Sequence, residues 1–110
     1  MPLKMFFADY CEGKVLESED ARLATKPKIL HSMDCVLHMP SNFIGIIDEN
    51  DATLQFIVND DKTVSVDIPV PAERGSYART TSLRECLEIV EGLDESISPK
   101  EISGLAFQAW

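Results

Sequence analysis

Three residues of types that bind metal ions lie close together in the sequence: His31, Cys35 and His38. On a helix, positions i, i+4 and i+7 share one face, so these side chains would point to the same side. Imidazole and thiolate are zinc ligands, but a structural zinc site has four ligands and no second Cys/His pair lies nearby. Asp34 or a water molecule would have to complete the coordination, and we therefore predict no metal site.

Other catalytic patterns find little support. A calcium-binding loop starting at Asp48 would require Gly and Glu where the chain has Thr53 and Asn59. The helical pattern around Cys86 turns that thiol toward the core. Nothing in the sequence pairs two carboxylates in a pocket or supplies an oxyanion donor. We therefore predict a protein with no enzymatic activity and no cofactor.

The composition favours one acidic domain. The 110 residues include 10 Lys and Arg against 19 Asp and Glu, which gives a formal net charge of −9. A chain of this length buries one core, so residues 1–110 are predicted to form a single domain. The acidic surface disfavours binding to nucleic acid or to an anionic membrane, and it would attract a basic protein partner.

Cysteine usage and hydropathy bear on localisation. The apolar run near the first residue is too short for a signal peptide, and no window has the length of a membrane span. The three cysteines are widely spaced and odd in number, which does not indicate a disulfide framework. A reduced, cytoplasmic setting is predicted.

The middle of the chain predicts an antiparallel β-meander. The three clearest strands cover 43–48, 53–59 and 63–70. Apolar residues alternate with polar ones in the second and third strands, as expected for half-buried strands, and short polar turns separate all three. Pro69 and Pro71 have no N–H to donate, so the third strand is predicted to end near Ile68 or to lie at a sheet edge.

Two helices are expected around this meander. Ser82 and Glu85 form a capping-box pattern at the start of an amphipathic helix that Gly92 would end. An earlier helix is predicted over 27–38, with Pro27 in its first turn. The flanking segments are predicted as strands over 3–8 and 105–110, as a short strand or coil over 14–17, and as a polar loop over 71–81. The predicted fold class is therefore α+β, an antiparallel β-meander packed against one or two amphipathic helices.

The best candidate for a functional site is a surface at one end of the meander. There the first turn and the exit of the third strand meet, and long loops on a rigid scaffold are where binding residues tend to lie. Tyr and Arg are also enriched at interaction hot spots. The predicted partner-binding residues are Asp48, Glu49, Asp51, Glu73, Arg74, Tyr77 and Arg79.

The order of elements resembles that of small bacterial immunity proteins of polymorphic and contact-dependent toxin systems. The resemblance covers Pro27 to Leu93: the 27–38 helix, the strands through Phe43–Ile47 and Leu54–Ile57, and the helix capped by Ser82. It rests on architecture, size and acidity, so no functional residue is transferred. It implies a non-enzymatic inhibitor that covers the active site of a toxin domain, often a basic one, and the charge of −9 suits such a partner.

Two alternatives stay open at this level. One is a small enzyme or metal-dependent sensor that uses His31, Cys35 and His38. The other is a regulatory or accessory domain whose strand at 105–110 pairs with another chain. The oligomeric state is left open, because no feature of the sequence determines it.

Overall fold

A single antiparallel sheet runs through most of the computed structural model, which describes residues 3–94 and 96–110. Its strands are β1 (Leu3–Asp9), β2 (Lys14–Leu16), β3 (Arg22–Ala24), β4 (Phe43–Ile47), β5 (Thr53–Val58), β6 (Val64–Val70), β7 (Gly75–Thr81) and β8 (Ala106–Ala109). The order across the sheet is β2-β1-β4-β5-β6-β7-β8, and β3 pairs with the same outer edge of β1 as β2 does. The helices are α1 (Lys26–Val36) and α2 (Leu83–Glu91), with short 3-10 turns at Ser18–Asp20, Pro71–Glu73 and Pro99–Glu101.

The central strands form the predicted meander. β4, β5 and β6 pair in sequence order, with Phe43 opposite Ile57 and Phe56 opposite Val66. Alternate residues of β5 and β6 are buried on one face of the sheet, because successive side chains of a strand point to opposite faces. The α+β class, with an antiparallel meander packed against two helices, is confirmed.

Both helices pack on the same side of the sheet, which we call the helix-covered face; the other is the open face. Thr25 caps α1 by accepting a hydrogen bond from the backbone N–H of Lys28, and Pro27 lies in the first turn as predicted. The Lys26 ammonium group donates to the carbonyl oxygens of Glu91 and Leu93. This contact joins the start of α1 to the end of α2, where the carbonyl groups of the last turn favour a positive charge.

The core lies between the two helices and the helix-covered face. α1 contributes Ile29 and Met33, and α2 contributes Cys86 and Val90, all with no exposed surface. The sheet residues that are fully buried with them include Ile44, Ile46, Leu54, Phe56, Val64 and Val66. Burial of the apolar surface of such side chains, at about 25 cal/mol per Å², is the main force that holds the layers together.

The third strand has the bounds predicted to within one residue, but the prediction that it ends near Ile68 or lies at a sheet edge was wrong. β6 continues to Val70 and lies inside the sheet, paired with β5 on one side and β7 on the other. Pro69 lies opposite Ser76 of β7, and the N–H group that a proline lacks would point toward β5. Pairing of β6 with β5 ends at Asp67, so Pro69 lies beyond the part of β6 that forms hydrogen bonds with β5. A proline costs little where no ladder bond is required of its nitrogen.

The prediction of a loop over 71–81 was also wrong beyond its first few residues. The chain makes one 3-10 turn at Pro71–Glu73, Arg74 adopts a left-handed conformation with φ 53°, and β7 then pairs with β6 along its full length. β8 pairs with β7, so the predicted last strand joins the main sheet. β3 was not predicted.

The two helices of residues 3–94 and 96–110 are both too short and too polar to cross a membrane.

Candidate partner-binding surface

The turn between β4 and β5 is organised by a buried carboxylate. Asp48 is only 4% exposed, and its Oδ1 accepts hydrogen bonds from the backbone N–H groups of Asn50 and Ala52, each at 2.9 Å. Its Oδ2 accepts a third from the N–H of Ile97 at 2.8 Å. Because both oxygens face inward, Asp48 fixes the turn rather than presenting charge to a partner, whereas Glu49 and Asp51 are exposed.

The connection between β6 and β7 lies at the same end of the sheet, because β6 runs antiparallel to β5 and ends where β5 begins. Glu73 and Arg74 are exposed there. The Tyr77 hydroxyl donates to Glu73 Oε1 at 2.9 Å, and this bond to the carboxylate raises the pKa of Tyr77. The ring of Tyr77 is half-buried and packs edge-on against Phe107, with 5.3 Å between centroids.

Arg79 belongs to a different neighbourhood. It lies four residues further along β7 than Gly75, about 14 Å from the turn at about 3.4 Å per residue. Its guanidinium donates to the Ser103 carbonyl at 3.0 Å and to Thr81 Oγ1 at 3.2 Å, and it forms an ion pair with Glu85. These contacts hold the segment before β8 against the start of α2.

The carboxylate of Glu85 therefore has a different partner from the one that the capping-box pattern predicts. Ser82 does accept a hydrogen bond from the N–H of Glu85, at 3.2 Å. The Glu85 side chain, however, accepts from the Thr81 hydroxyl and from Arg79 instead of from the Ser82 backbone. The Thr81 hydrogen bond and the Arg79 charge lower the pKa of Glu85.

Four of the seven predicted residues thus form one exposed group, which we call the acidic end: Glu49, Asp51, Glu73 and Arg74. The two turns that carry them are about two strand spacings apart, roughly 10 Å. Asp48 is part of the internal framework of this end. Tyr77 and Arg79 were predicted to lie in a loop. They lie instead on β7, on the helix-covered face.

Trp110 lies beside the acidic end, although the sequence pattern did not mark it as a surface residue. Its backbone N–H donates to the Arg74 carbonyl at 2.9 Å, and its indole Nε1 donates to Ser76 Oγ at 3.1 Å. The side chain is nevertheless 70% exposed. The alternation over 105–110 was the available signal, since it placed an aromatic residue at the end of a strand.

The residues first considered for metal binding do not converge. The Cys35 Sγ lies 3.7 Å from the Nε2 atom of His31, and both side chains are exposed on α1. His38 lies beyond the end of the helix, and its ring contacts the Asp34 carbonyl instead. Within residues 3–94 and 96–110, no group of three or more His, Cys, Asp and Glu side chains is arranged to hold a metal ion.

The third cysteine lies in the core. Cys86 has no exposed surface, and burial raises the pKa of its thiol to about 12. A thiol with this pKa is almost entirely protonated at neutral pH and is a poor nucleophile.

Comparison of the chain with protein-family models, with curated proteins and with solved structures found no significant match.

Proposed function

We propose that this chain is a non-enzymatic protein-binding module, and specifically an acidic immunity protein that neutralises a basic toxin domain by covering its active site. The observation that supports this best is the acidic end, where three carboxylates and one arginine are exposed on two adjoining turns. The formal charge of −9 would accelerate the approach of a basic partner by electrostatic steering.

The framework beneath the acidic end supports the proposal on energetic grounds. The Asp48 carboxylate fixes the first turn from inside, and the pairing of β6 with β7 fixes the second. A turn whose backbone is already fixed loses little backbone conformational freedom on binding, which favours affinity. Trp110 next to Arg74 adds an exposed residue of the type most often found at binding hot spots.

A growth-protection assay tests this function. Each protein encoded beside this chain in its source genome is expressed in a bacterial host, alone and together with the chain. The proposal expects one of these proteins to be toxic alone and harmless in the presence of the chain. A double variant, Glu49→Lys with Glu73→Lys, is expected to lose protection, since two repulsive charges would face the basic partner.

The matched control carries the same change of charge at the opposite end of the sheet. Glu12→Lys with Asp60→Lys reverses two exposed acidic residues in the β1–β2 and β5–β6 turns. This control is expected to protect as the wild type does. Absence of any toxic neighbour that the chain neutralises, or equal loss of protection in both double variants, would reject the proposal.

A second function is favoured by a separate observation. All four residues of β8 are exposed, and β8 is the last strand on its side of the sheet. An edge strand of this kind accepts an additional strand from another chain in regulatory and accessory domains. A protein partner that does not impair growth, and whose binding survives reversal of the acidic end but is lost in Phe107→Lys, would favour this alternative.

A further inference from the structure

The two edges of the sheet differ in how they are protected. At one edge, β2 and β3 are three-residue strands interrupted by the 3-10 turn at Ser18–Asp20, and they carry Lys14 and Arg22. Short strands, interruptions and charged side chains are the usual means of preventing edge-to-edge pairing. β8 forms the other edge with the sequence Ala-Phe-Gln-Ala, which has no charged residue in a chain of charge −9.

The orientation of the backbone groups of β8 follows from one hydrogen bond. The Trp110 N–H donates to the Arg74 carbonyl on the β7 side at 2.9 Å. In an antiparallel ladder, alternate residues direct their N–H and C=O groups to opposite edges. Gln108 and Ala106 therefore face β7 as Trp110 does, and Phe107 and Ala109 direct their backbone groups outward, where no strand of residues 3–94 or 96–110 pairs with them.

We propose that β8 pairs with β8 of a second copy of this chain, antiparallel and centred on Phe107. A two-fold axis perpendicular to the sheet keeps both helix-covered faces on the same side. The allowed registers are therefore those in which each residue of β8 lies opposite a residue of the second copy whose side chain is on the same face. Centring on Phe107 places Phe107 opposite itself and Ala109 opposite Leu105 of the second copy. This register forms about six backbone hydrogen bonds, whereas centring on Gln108 forms about four.

The side chains fit the same register. Phe107 is 45% exposed on the helix-covered face, where it already packs edge-on against Tyr77. Pairing about the two-fold axis sets the two Phe107 rings beside each other, between the two Tyr77 rings. Aromatic cross-strand pairs of this kind stabilise antiparallel sheets.

The absence of charge favours a second copy as the occupant. Two chains of charge −9 repel each other over most of their surfaces, and β8 offers an approach with no charged side chain on the strand. This proposal does not depend on the acidic end, and the two respond oppositely to salt. Raising the salt concentration screens the repulsion between copies and tightens the dimer, whereas it weakens the binding of a basic partner at the acidic end.

Sedimentation equilibrium of the whole chain tests the proposal. An interface of one short strand is small, so a weak dimer is expected, and the experiment covers about 5 to 500 µM protein at low and high salt. The wild type is expected to dimerise in this range, more tightly at high salt. Phe107→Lys, which sets two ammonium groups opposite each other, is expected to weaken the dimer at least about a hundredfold.

Two further variants make the test specific. Leu23→Lys makes the same substitution type at an exposed apolar residue of β3, on the other edge, and is expected to dimerise as the wild type does. Ala109→Pro removes an outward N–H without touching the bonds to β7 and is expected to weaken the dimer about tenfold or more. Far-UV circular dichroism verifies that each variant is folded.

A wild type that stays monomeric up to about 500 µM would overturn the proposal, because weak interfaces of this size are still populated there. Equal weakening by Leu23→Lys and Phe107→Lys would also overturn it. If the wild type is monomeric but Ala109→Pro reduces the affinity for a different protein, the edge receives another chain, and the proposal of a second copy is wrong.

Discussion

The carboxylate of Asp48 accepts a hydrogen bond from the backbone N–H of Ile97, a residue 49 positions later in the chain, at 2.8 Å. The same side chain holds the β4–β5 turn through the N–H groups of Asn50 and Ala52. One buried side chain therefore connects the meander to the segment that follows α2. Of the acidic end, Glu49 and Asp51 lie on the turn that Asp48 holds.

Replacement of Asp48 is expected to destabilise the protein strongly. Asp48→Ala removes the acceptor of three backbone N–H groups, of which that of Ile97 is buried. Losing the two turn bonds and leaving the buried donor without a partner costs about 2–4 kcal/mol in the free energy of unfolding. Asp48→Asn keeps one oxygen for the turn but sets an amide donor against the Ile97 N–H, so an intermediate loss is expected.

Urea denaturation followed by circular dichroism measures both losses. Glu49→Ala, the exposed neighbouring residue, serves as the control and is expected to change the free energy of unfolding by less than about 0.5 kcal/mol. A loss for Asp48→Ala as small as that of the control would show that Asp48 does not organise the turn.

Asn42 makes a second internal connection, between the end of α1 and the end of β1. Its Nδ2 donates to Asp9 Oδ1 at 3.0 Å and to the Val36 carbonyl at 2.9 Å, and its Oδ1 accepts from the Tyr10 N–H. Asn42→Asp removes both donors and sets a second carboxylate against Asp9. We expect a loss of about 3 kcal/mol at neutral pH, partly recovered at acid pH when the new carboxyl group is protonated.

The pH dependence of unfolding of the Asn42→Asp variant measures this effect. Asn50→Asp introduces the same group at an exposed position of the β4–β5 turn and is expected to leave stability nearly unchanged. If the loss at Asn42 is the same at pH 4 and pH 7, repulsion from Asp9 is not its cause.

Glu85 is expected to titrate below the ordinary range of a glutamate. The Thr81 hydroxyl and the Arg79 guanidinium both favour the charged carboxylate, so its pKa is lowered in the folded protein. A carboxylate with a lowered pKa adds stability above its unfolded-state pKa and loses that contribution as the pH falls through the folded-state value. NMR titration of the side chain measures the shift.

Thr81→Val is expected to move the pKa of Glu85 back toward its ordinary value, because the hydroxyl makes the largest contribution to the shift. The variant leaves the Arg79 ion pair in place, so a partial return is expected. An unchanged pKa in this variant would contradict the assignment to Thr81.

The three thiols are expected to differ in reactivity. Cys11 and Cys35 are exposed, whereas Cys86 is buried with a pKa raised to about 12. A thiol reagent at pH 8 is expected to modify two cysteines in the native protein and all three in urea. In the double variant Cys11→Ser with Cys35→Ser, native protein is expected to be nearly unreactive, and rapid modification would show that Cys86 is accessible.

Much of this fold follows from patterns of short range. The apolar alternation of β5 and β6 predicted both strands to within a residue or so, and the Ser82 pattern predicted the start of α2. β7 was missed because it lacks the alternation of apolar with polar residues that indicates a strand. Tyr77 and Arg79, which point to the helix-covered face, are polar, and the residues between them and on either side are small. The strand structure of β7 depends on pairing with both β6 and β8, which no local pattern records.

The position of the candidate site was also predictable in part from the short-range patterns that gave the meander. The meander topology placed Glu49, Asp51, Glu73 and Arg74 at one end, as the structure shows. The inward orientation of Asp48 was not predictable, because it depends on the N–H of Ile97, far away in the sequence. The contacts of Arg79 with Ser103 and Glu85 likewise depend on tertiary packing.

Capture of a partner is the most direct test of the central proposal, that the acidic end binds a basic protein. The wild type, the Glu49→Lys/Glu73→Lys variant and the Glu12→Lys/Asp60→Lys variant are immobilised side by side and exposed to lysate of the source cells. The proposal predicts that the wild type and the Glu12→Lys/Asp60→Lys variant retain one basic protein at 1:1 stoichiometry. The Glu49→Lys/Glu73→Lys variant is predicted not to retain it. Equal retention by all three, or no stoichiometric protein on any of them, would contradict it.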